Sequence, residues 1–217
     1  MHVQMSIDLT ERDGRRLDVS QDSDPGVVKP CGDCSLCCKV LRINVLDKPS
    51  GHWCRHFAKG VGCAIHTETP VECRRFQCFW SISSKLGEEW RPDRSKLVLW
   101  SNAEERMIVD VDPAFPNAWR REPYYTELKA WSDRNRPRPL EVLVRTSGRM
   151  LVIFPETDVD LGVQQPDASI DSGYRVECGR KTPYAAYVQP HVARPHSPKP
   201  HSPRGGRAEL ANSRVRA

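Results

Sequence analysis

The chain has 217 residues, a hydrophobic fraction of 38%, a mean hydropathy of −0.60 and a formal net charge of +5. That length allows one or two domains with real cores, while the low apolar share points to unfolded stretches at the ends. No run of about 18 apolar residues occurs, so no membrane span is expected, and the polar, acidic start MHVQMSIDLTERDGRRLDVS has no apolar stretch of the kind a secretory signal needs. The sequence therefore reads as cytoplasmic.

Residues 1–24 carry Asp8, Glu11, Asp13, Asp18, Asp22 and Asp24 against Arg12, Arg15 and Arg16 without apolar periodicity, and read as a disordered leader. Asp24-Pro25-Gly26 is a turn signal. It delivers the chain into CGDCSLCCKV, where Cys31-x2-Cys34-x2-Cys37 places three thiols in a tight loop and Gly32 lets the backbone curl. Iron-sulfur proteins grip a cubane cluster with this spacing, and zinc sites use C-x2-C pairs as readily. Cys37 and Cys38 are adjacent, and neighbouring side chains seldom reach one metal ion because they lie about 100° apart on a helix. Two metals, or one cluster and a spare thiol, follow as alternatives.

Leu41, Ile43 and Val45 alternate with Arg42 and Asn44, a pattern for a short half-buried strand, and Asp47 to Gly51 is a turn. Cys54 follows, then the glycine-rich KGVG and Cys63. His66, three residues past Cys63, is a further ligand or a hydrogen-bond partner of a thiolate. Thr69-Pro70-Val71-Glu72 reads as a helix start, with threonine capping and proline at the first helical position. Cys73 lies in that helix. Cys78 comes five positions later, about 140° round an ideal helix, so either the helix ends first or the two thiols serve different sites. Phe76, Phe79 and Trp80 read as core beside these ligands.

Eight of the nine cysteines thus fall between residues 31 and 78: Cys31, Cys34, Cys37, Cys38, Cys54, Cys63, Cys73 and Cys78. Such density has no use in ordinary packing. In a reducing compartment it points to a metal more than to disulfides. The pattern CGDCSLCC, C, GCAIH, TPVECRRFQC resembles the bacterial CxxCxxCC family, also called YkgJ-family cysteine cluster proteins, described as zinc- or iron-chelating domains. Two positions depart from the usual form: His66 stands where the family more often has tyrosine, and Thr69 where it has the arginine of an RP dipeptide. The resemblance implies a metal-chelating module and leaves the reaction open. Flagellin lysine methylases share the cysteine pattern, which brings protein methyl transfer in as an alternative context, although no G-x-G-x-x-G loop is present.

After a turn at Trp90–Arg94, Leu97–Trp100 and Arg106–Val111 form a first hairpin pattern, residues 117–134 a helix with Pro123 near its start, and Leu140–Arg145 and Met150–Phe154 a second hairpin through Thr146-Ser147-Gly148-Arg149. Glu156, Asp158 and Asp160 alternate as on an exposed strand edge, and Cys178 stands outside the cysteine pattern. From Arg180 onward eight basic residues face Glu209 alone, a net +7, in a proline-rich stretch with a HSPKP/HSPRG near-repeat. This tail, which also carries His191, His196 and His201, reads as solvated, with nucleic-acid or acidic-protein contact as its alternative use.

The fold class expected is α+β: a disordered leader (1–24), a small irregular cysteine-rich metal-binding domain (25–95), an antiparallel hairpin-helix-hairpin unit (96–179) and a disordered basic tail (180–217). The function expected is a cytosolic metal-binding protein chelating zinc or iron, the iron as an iron-sulfur cluster of the [4Fe-4S] kind, in a structural, metal-handling or redox role. Its alternatives are an enzyme supported by the cluster and a zinc-stabilised nucleic-acid or protein interaction module. No nucleophile-and-base pair or cofactor loop marks a catalytic centre.

Overall fold

Of the leader, the computed structural model describes two three-residue strands, β1 (Asp8–Thr10) and β2 (Arg16–Asp18), which pair antiparallel. The structure otherwise describes residues 29–102, 106–133, 140–165 and 168–189. The rest of the leader, and the tail from residue 190 with its three histidines, lie outside the described residues.

The cysteine-bearing stretch is made of elements too short to stand alone: α1 (Cys37–Val40), the two-residue pair β3 (Phe57–Ala58) and β4 (Gly62–Cys63), α2 (Val71–Arg75), α3 (Phe79–Ile82) and α4 (Pro92–Ser95). Helices of one turn have no stability of their own, because nucleation is not repaid by so few hydrogen bonds. They are held by what they pack on. The strand expected at Leu41–Val45 is absent: the chain leaves α1 extended at Leu41 and turns at Asn44–Leu46 in a 3-10 turn, and Ile43 bridges back to Lys48. Leu41 and Ile43 are buried as the alternation required, while Val45 is exposed at the turn.

A five-stranded sheet follows, in the order β5 (Leu97–Ser101), β6 (Met107–Val111), β7 (Val142–Thr146), β8 (Arg149–Ile153), β9 (Asp158–Val163). Between β6 and β7 runs α5 (Tyr124–Trp131), preceded by a 3-10 turn at Ala118–Arg120. The helix is shorter than the stretch 117–134 suggested, and Pro123 sits just before its first turn as expected. The α+β class holds, but the sheet is not antiparallel throughout, since β6 pairs parallel with β7, Met107 opposite Val142. The reason is the connection. A hairpin loop returns the chain beside itself, whereas a long helical crossover carries it back to the starting edge and sets the next strand in the same direction.

Both faces of the sheet are covered. On one, Leu97, Leu99, Met107, Val109, Val142, Val144 and Ile153 meet Leu128 and Trp131 of α5 together with Phe79, Trp80 and Trp90. Trp90 stacks on Trp131 with ring centroids 5.0 Å apart. On the other face Val98 packs with Leu36, Val40, Leu41 and Ile43 around α1, and Ile108, Leu143, Val152 and Phe154 pack with Ile170. Each such large side chain taken from water contributes about 1.5–3 kcal/mol. The cysteine-bearing stretch therefore shares its apolar contacts with both faces of the sheet.

Ile170 belongs to a long hairpin, β10 (Ser169–Glu177) with β11 (Arg180–Val188), turning through Cys178 and Gly179 at φ 50° and 75°. Two consecutive positive φ values match the twist of paired strands, which is why such turns favour this conformation. Residues 180–188, assigned from composition to the tail, are thus a strand. Its charged residues misled because a two-stranded ribbon has little to bury, and Pro183 is tolerated because β11 pairs on one side only. The acids after β8 are bound: Asp158 accepts from Tyr125 Oη at 3.0 Å and pairs with Arg120, and Asp160 pairs with Arg149 at 2.8 Å.

Candidate metal centre

The first cysteines lie on a loop shaped by its own backbone. The Cys34 N–H donates to the Cys31 carbonyl at 3.0 Å, and Gly32 takes φ 56°, a conformation that costs side-chain-bearing residues. From sixty residues away Arg91 closes the loop: one Nη2 donates to the Cys31 carbonyl at 3.1 Å and to the Asp33 carboxylate. The Arg91 guanidinium, through that hydrogen bond first, holds the Asp33 carboxyl below the usual range. The Lys29 N–H donates to the Ser81 carbonyl at 2.8 Å, which lays the segment just before Cys31 against α3.

Cys78 sits at the start of α3. The helix begun at Val71 ends at Arg75, so Cys73 and Cys78 are carried by separate elements. That helix also begins differently from its expected form, because Thr69 does not cap it and its hydroxyl donates to the His66 carbonyl at 3.3 Å. Burial pushes the Cys78 thiol up to about 11, against the backbone N–H groups of Trp80 and Ser81, and negative charge on Cys34 and Cys31 pushes it the same way. Burial likewise raises Cys34, with the N–H groups of Leu36 and Asp93 opposing it.

A second set of contacts gathers the remaining cysteines. The Cys54 N–H donates to the Cys38 carbonyl at 3.0 Å, and the Phe57 N–H donates to the Cys54 carbonyl at 2.9 Å. Phe57 is paired across the β3–β4 turn with Cys63. Gly62, at φ 91°, brings that turn against the first loop, and a side chain there would meet Ser35 Oγ at 3.7 Å. Glu72 of α2 accepts from the Asn44 N–H at 3.0 Å, tying the helix that carries Cys73 to the turn after α1. The Cys73 thiol is raised by burial and then by charge on Cys38, Cys54 and Cys63.

The two sets meet at Cys37 and Cys38, whose sulfurs share a hydrogen bond that keeps one proton between them. It favours the Cys38 thiolate, lowered to about 7 with Lys48 assisting against burial, and holds Cys37 well above the usual range, where burial and charge on Cys38, Cys34 and Cys31 add to it. Lys48 is 6% exposed, a burial rare for lysine. Its ammonium donates to the carbonyls of Lys39 at 2.9 Å, Pro49 at 3.1 Å and Leu41. Burial lowers its pKa while charge on Cys54, Cys38, Cys37 and Cys73 raises it. Spacing did not flag Lys48 as a neighbour of the cysteines, and a lone lysine in a turn carries no signal by which it could have been found.

All nine cysteines are free thiols. Cys31 is exposed and the other seven of the cluster are half-buried, while Cys178 lies apart, exposed at the tip of the β10–β11 hairpin. His66 is exposed in the 3-10 turn His66–Glu68. Among the described residues, no three or more His, Cys, Asp or Glu side chains are drawn together closely enough to hold a metal ion. The donor set nevertheless has the right chemistry for a soft metal: clustered thiols whose charges oppose one another, a penalty that a cation reverses. No helix is long and apolar enough to cross a membrane among the described residues. Comparison with models of protein families, with curated proteins and with solved structures finds no match.

Proposed function

We propose that this chain is a metal-binding protein in which Cys31, Cys34, Cys37, Cys38, Cys54, Cys63, Cys73 and Cys78 chelate zinc or an iron-sulfur cluster, in a structural, metal-handling or redox role, as the likeness to CxxCxxCC proteins implies. One observation carries it. Cys73 and Cys78, 35 and 40 residues beyond Cys38, are brought back to within charge reach of the Cys31–Cys38 loop, and ionisation is opposed at Cys37 by its hydrogen bond with Cys38 first, at Cys73 and Cys78 by burial first, and at all three by charge on neighbouring cysteines. Crowded thiols that oppose one another's ionisation are a cost unless a cation neutralises them, and metal binding then displaces the protons. Zinc would act as a cross-link for elements too short to hold themselves, and a cluster would add electron transfer. His66 is the available alternative ligand beside Cys63.

The test is metal and acid-labile sulfide content, with a visible spectrum, on protein purified without oxygen. Stoichiometric zinc on colourless protein, or iron with sulfide and a broad oxygen-sensitive absorption, is the expected result and separates the two chemistries. Metal-free protein that also fails to take up zinc, or iron with sulfide, under reducing conditions would overturn the proposal.

A further inference from the structure

We infer that the eight cysteines form two four-thiolate centres, one of Cys31, Cys34, Cys37 and Cys78 and the other of Cys38, Cys54, Cys63 and Cys73, lying side by side across the Cys37–Cys38 step. This rests on the metal-binding reading and adds which thiols share a metal. Cys37 and Cys38 open α1, where successive side chains diverge by about 100°. Cys37 is therefore assigned to the group of the 31–34 loop, and Cys38, whose carbonyl accepts from the Cys54 N–H, to that of the 54–63 turn.

The backbone divides the same way. In the first group, the Cys34 N–H donates to the Cys31 carbonyl, and the Lys29 N–H donates to the Ser81 carbonyl at 2.8 Å, which docks the segment before Cys31 on α3, whose N-cap residue is Cys78. In the second group, Cys38 is bonded to Cys54 at 3.0 Å, Cys54 to Phe57 at 2.9 Å, Phe57 is paired with Cys63, and α2 with Cys73 is tied to the turn after α1. The short element between them, α2, ends at Arg75 and lets Cys73 and Cys78 part.

The surroundings of the two groups differ as well. Four thiolates around a divalent metal leave a net charge of −2. The second group has the buried Lys48 ammonium beside it, and the first has the Arg91 guanidinium at its rim, itself paired with Asp33 and Asp93. Neither centre lacks a cation, and each has its own.

The test uses full-length protein, stripped of metal under reducing conditions and titrated with cadmium, a soft ion whose thiolate charge-transfer absorbance counts sites. Two cadmium ions per wild-type chain are expected, and one per chain for Cys34→Ser and for Cys63→Ser. Alkylation of the cadmium-loaded variants, read by mass spectrometry, should label Cys31, Cys37 and Cys78 in Cys34→Ser while sparing Cys38, Cys54 and Cys73 along with Cys63. The labelling should reverse in Cys63→Ser. One cadmium ion in wild type, or loss of all protection from either single change in protein that keeps its far-ultraviolet dichroism, would overturn the two-centre assignment and leave metal binding standing. If a variant does not fold, the wild-type count decides. No cadmium bound at all would remove the metal-binding reading itself.

Discussion

Arg91 Nη2 donates to the carbonyl of Cys31 at 3.1 Å, a bond between a residue at the sheet's entry and the first thiol of the cysteine loop, 60 positions apart in sequence. It closes the cysteine loop from the far end of the cysteine-bearing stretch, and the same guanidinium also pairs with Asp33 inside the loop and with Asp93 at 3.2 Å. A planar fork presents five donors in a fixed geometry, whereas an ammonium presents three on a flexible stem.

Removing this fork should loosen the loop without touching a thiol. Arg91→Met is expected to weaken metal retention about 10-fold or more, the usual cost of losing a group that orients ligands. Arg91→Lys should fall between that variant and wild type. The check is the rate and extent of metal transfer to a competing chelator. Retention equal to wild type in Arg91→Met would mean that the loop holds its shape unaided.

A second network stabilises the sheet beneath. Asp110 is 3% exposed and accepts from Arg145 Nε at 2.7 Å, from Arg145 Nη2 at 2.5 Å and from Trp100 Nε1 at 2.7 Å. Asp110 and Arg145 are register partners across the parallel β6–β7 pair, so the ion pair braces the junction that the crossover creates. Arg145→Met leaves the carboxylate buried with the indole as its remaining partner and should cost about 3 kcal/mol. The double change Asp110→Leu with Arg145→Met should cost less than Arg145→Met alone, because no charge is left stranded. Denaturant unfolding of wild type and the two variants decides it, and a double variant that loses as much as Arg145→Met or more would sink the explanation.

Cys178 offers the opposite expectation. It is exposed at the β10–β11 turn with φ 50°, far from the eight others in sequence and carried by a different element. Cys178→Ser should leave metal content unchanged. Cys178→Asn should raise stability by about 0.5–1 kcal/mol, since asparagine enters the left-handed region at less cost. Thermal melting and metal analysis of both variants provide the check, and metal loss in Cys178→Ser would place that thiol among the ligands.

How much of this was legible in the sequence varies by element. The hairpin runs at 97–111 and 140–154 were readable because apolar and β-branched residues leave a local signature, and Ser147 and Gly148 mark a two-residue turn whose φ values, 49° and 75°, suit it. Pro123 marked the helix start for a similarly local reason. Strand direction was not readable in the same way, since direction depends on how the 30 or so residues between β6 and β7 cross the sheet. The length of that connection was the clue that would have argued for a parallel pair. The strand at Arg180–Val188 was hidden by its charge, because composition weighs residues singly and pairing across a ribbon does not need an apolar face.

The sequence alone determined that eight of the nine cysteines crowd between residues 31 and 78, a density that ordinary packing does not use. It also determined that Cys178 stands apart and that the chain mixes helices with sheets. Only the tertiary structure decided that α2 ends at Arg75 and so separates Cys73 from Cys78, that the Cys54 N–H donates to the Cys38 carbonyl, and that Lys48 lies buried within charge reach of Cys54, Cys38, Cys37 and Cys73. These depend on long-range contacts: elements of four or five residues take their positions from the sheet they pack on, and local sequence holds no record of that surface.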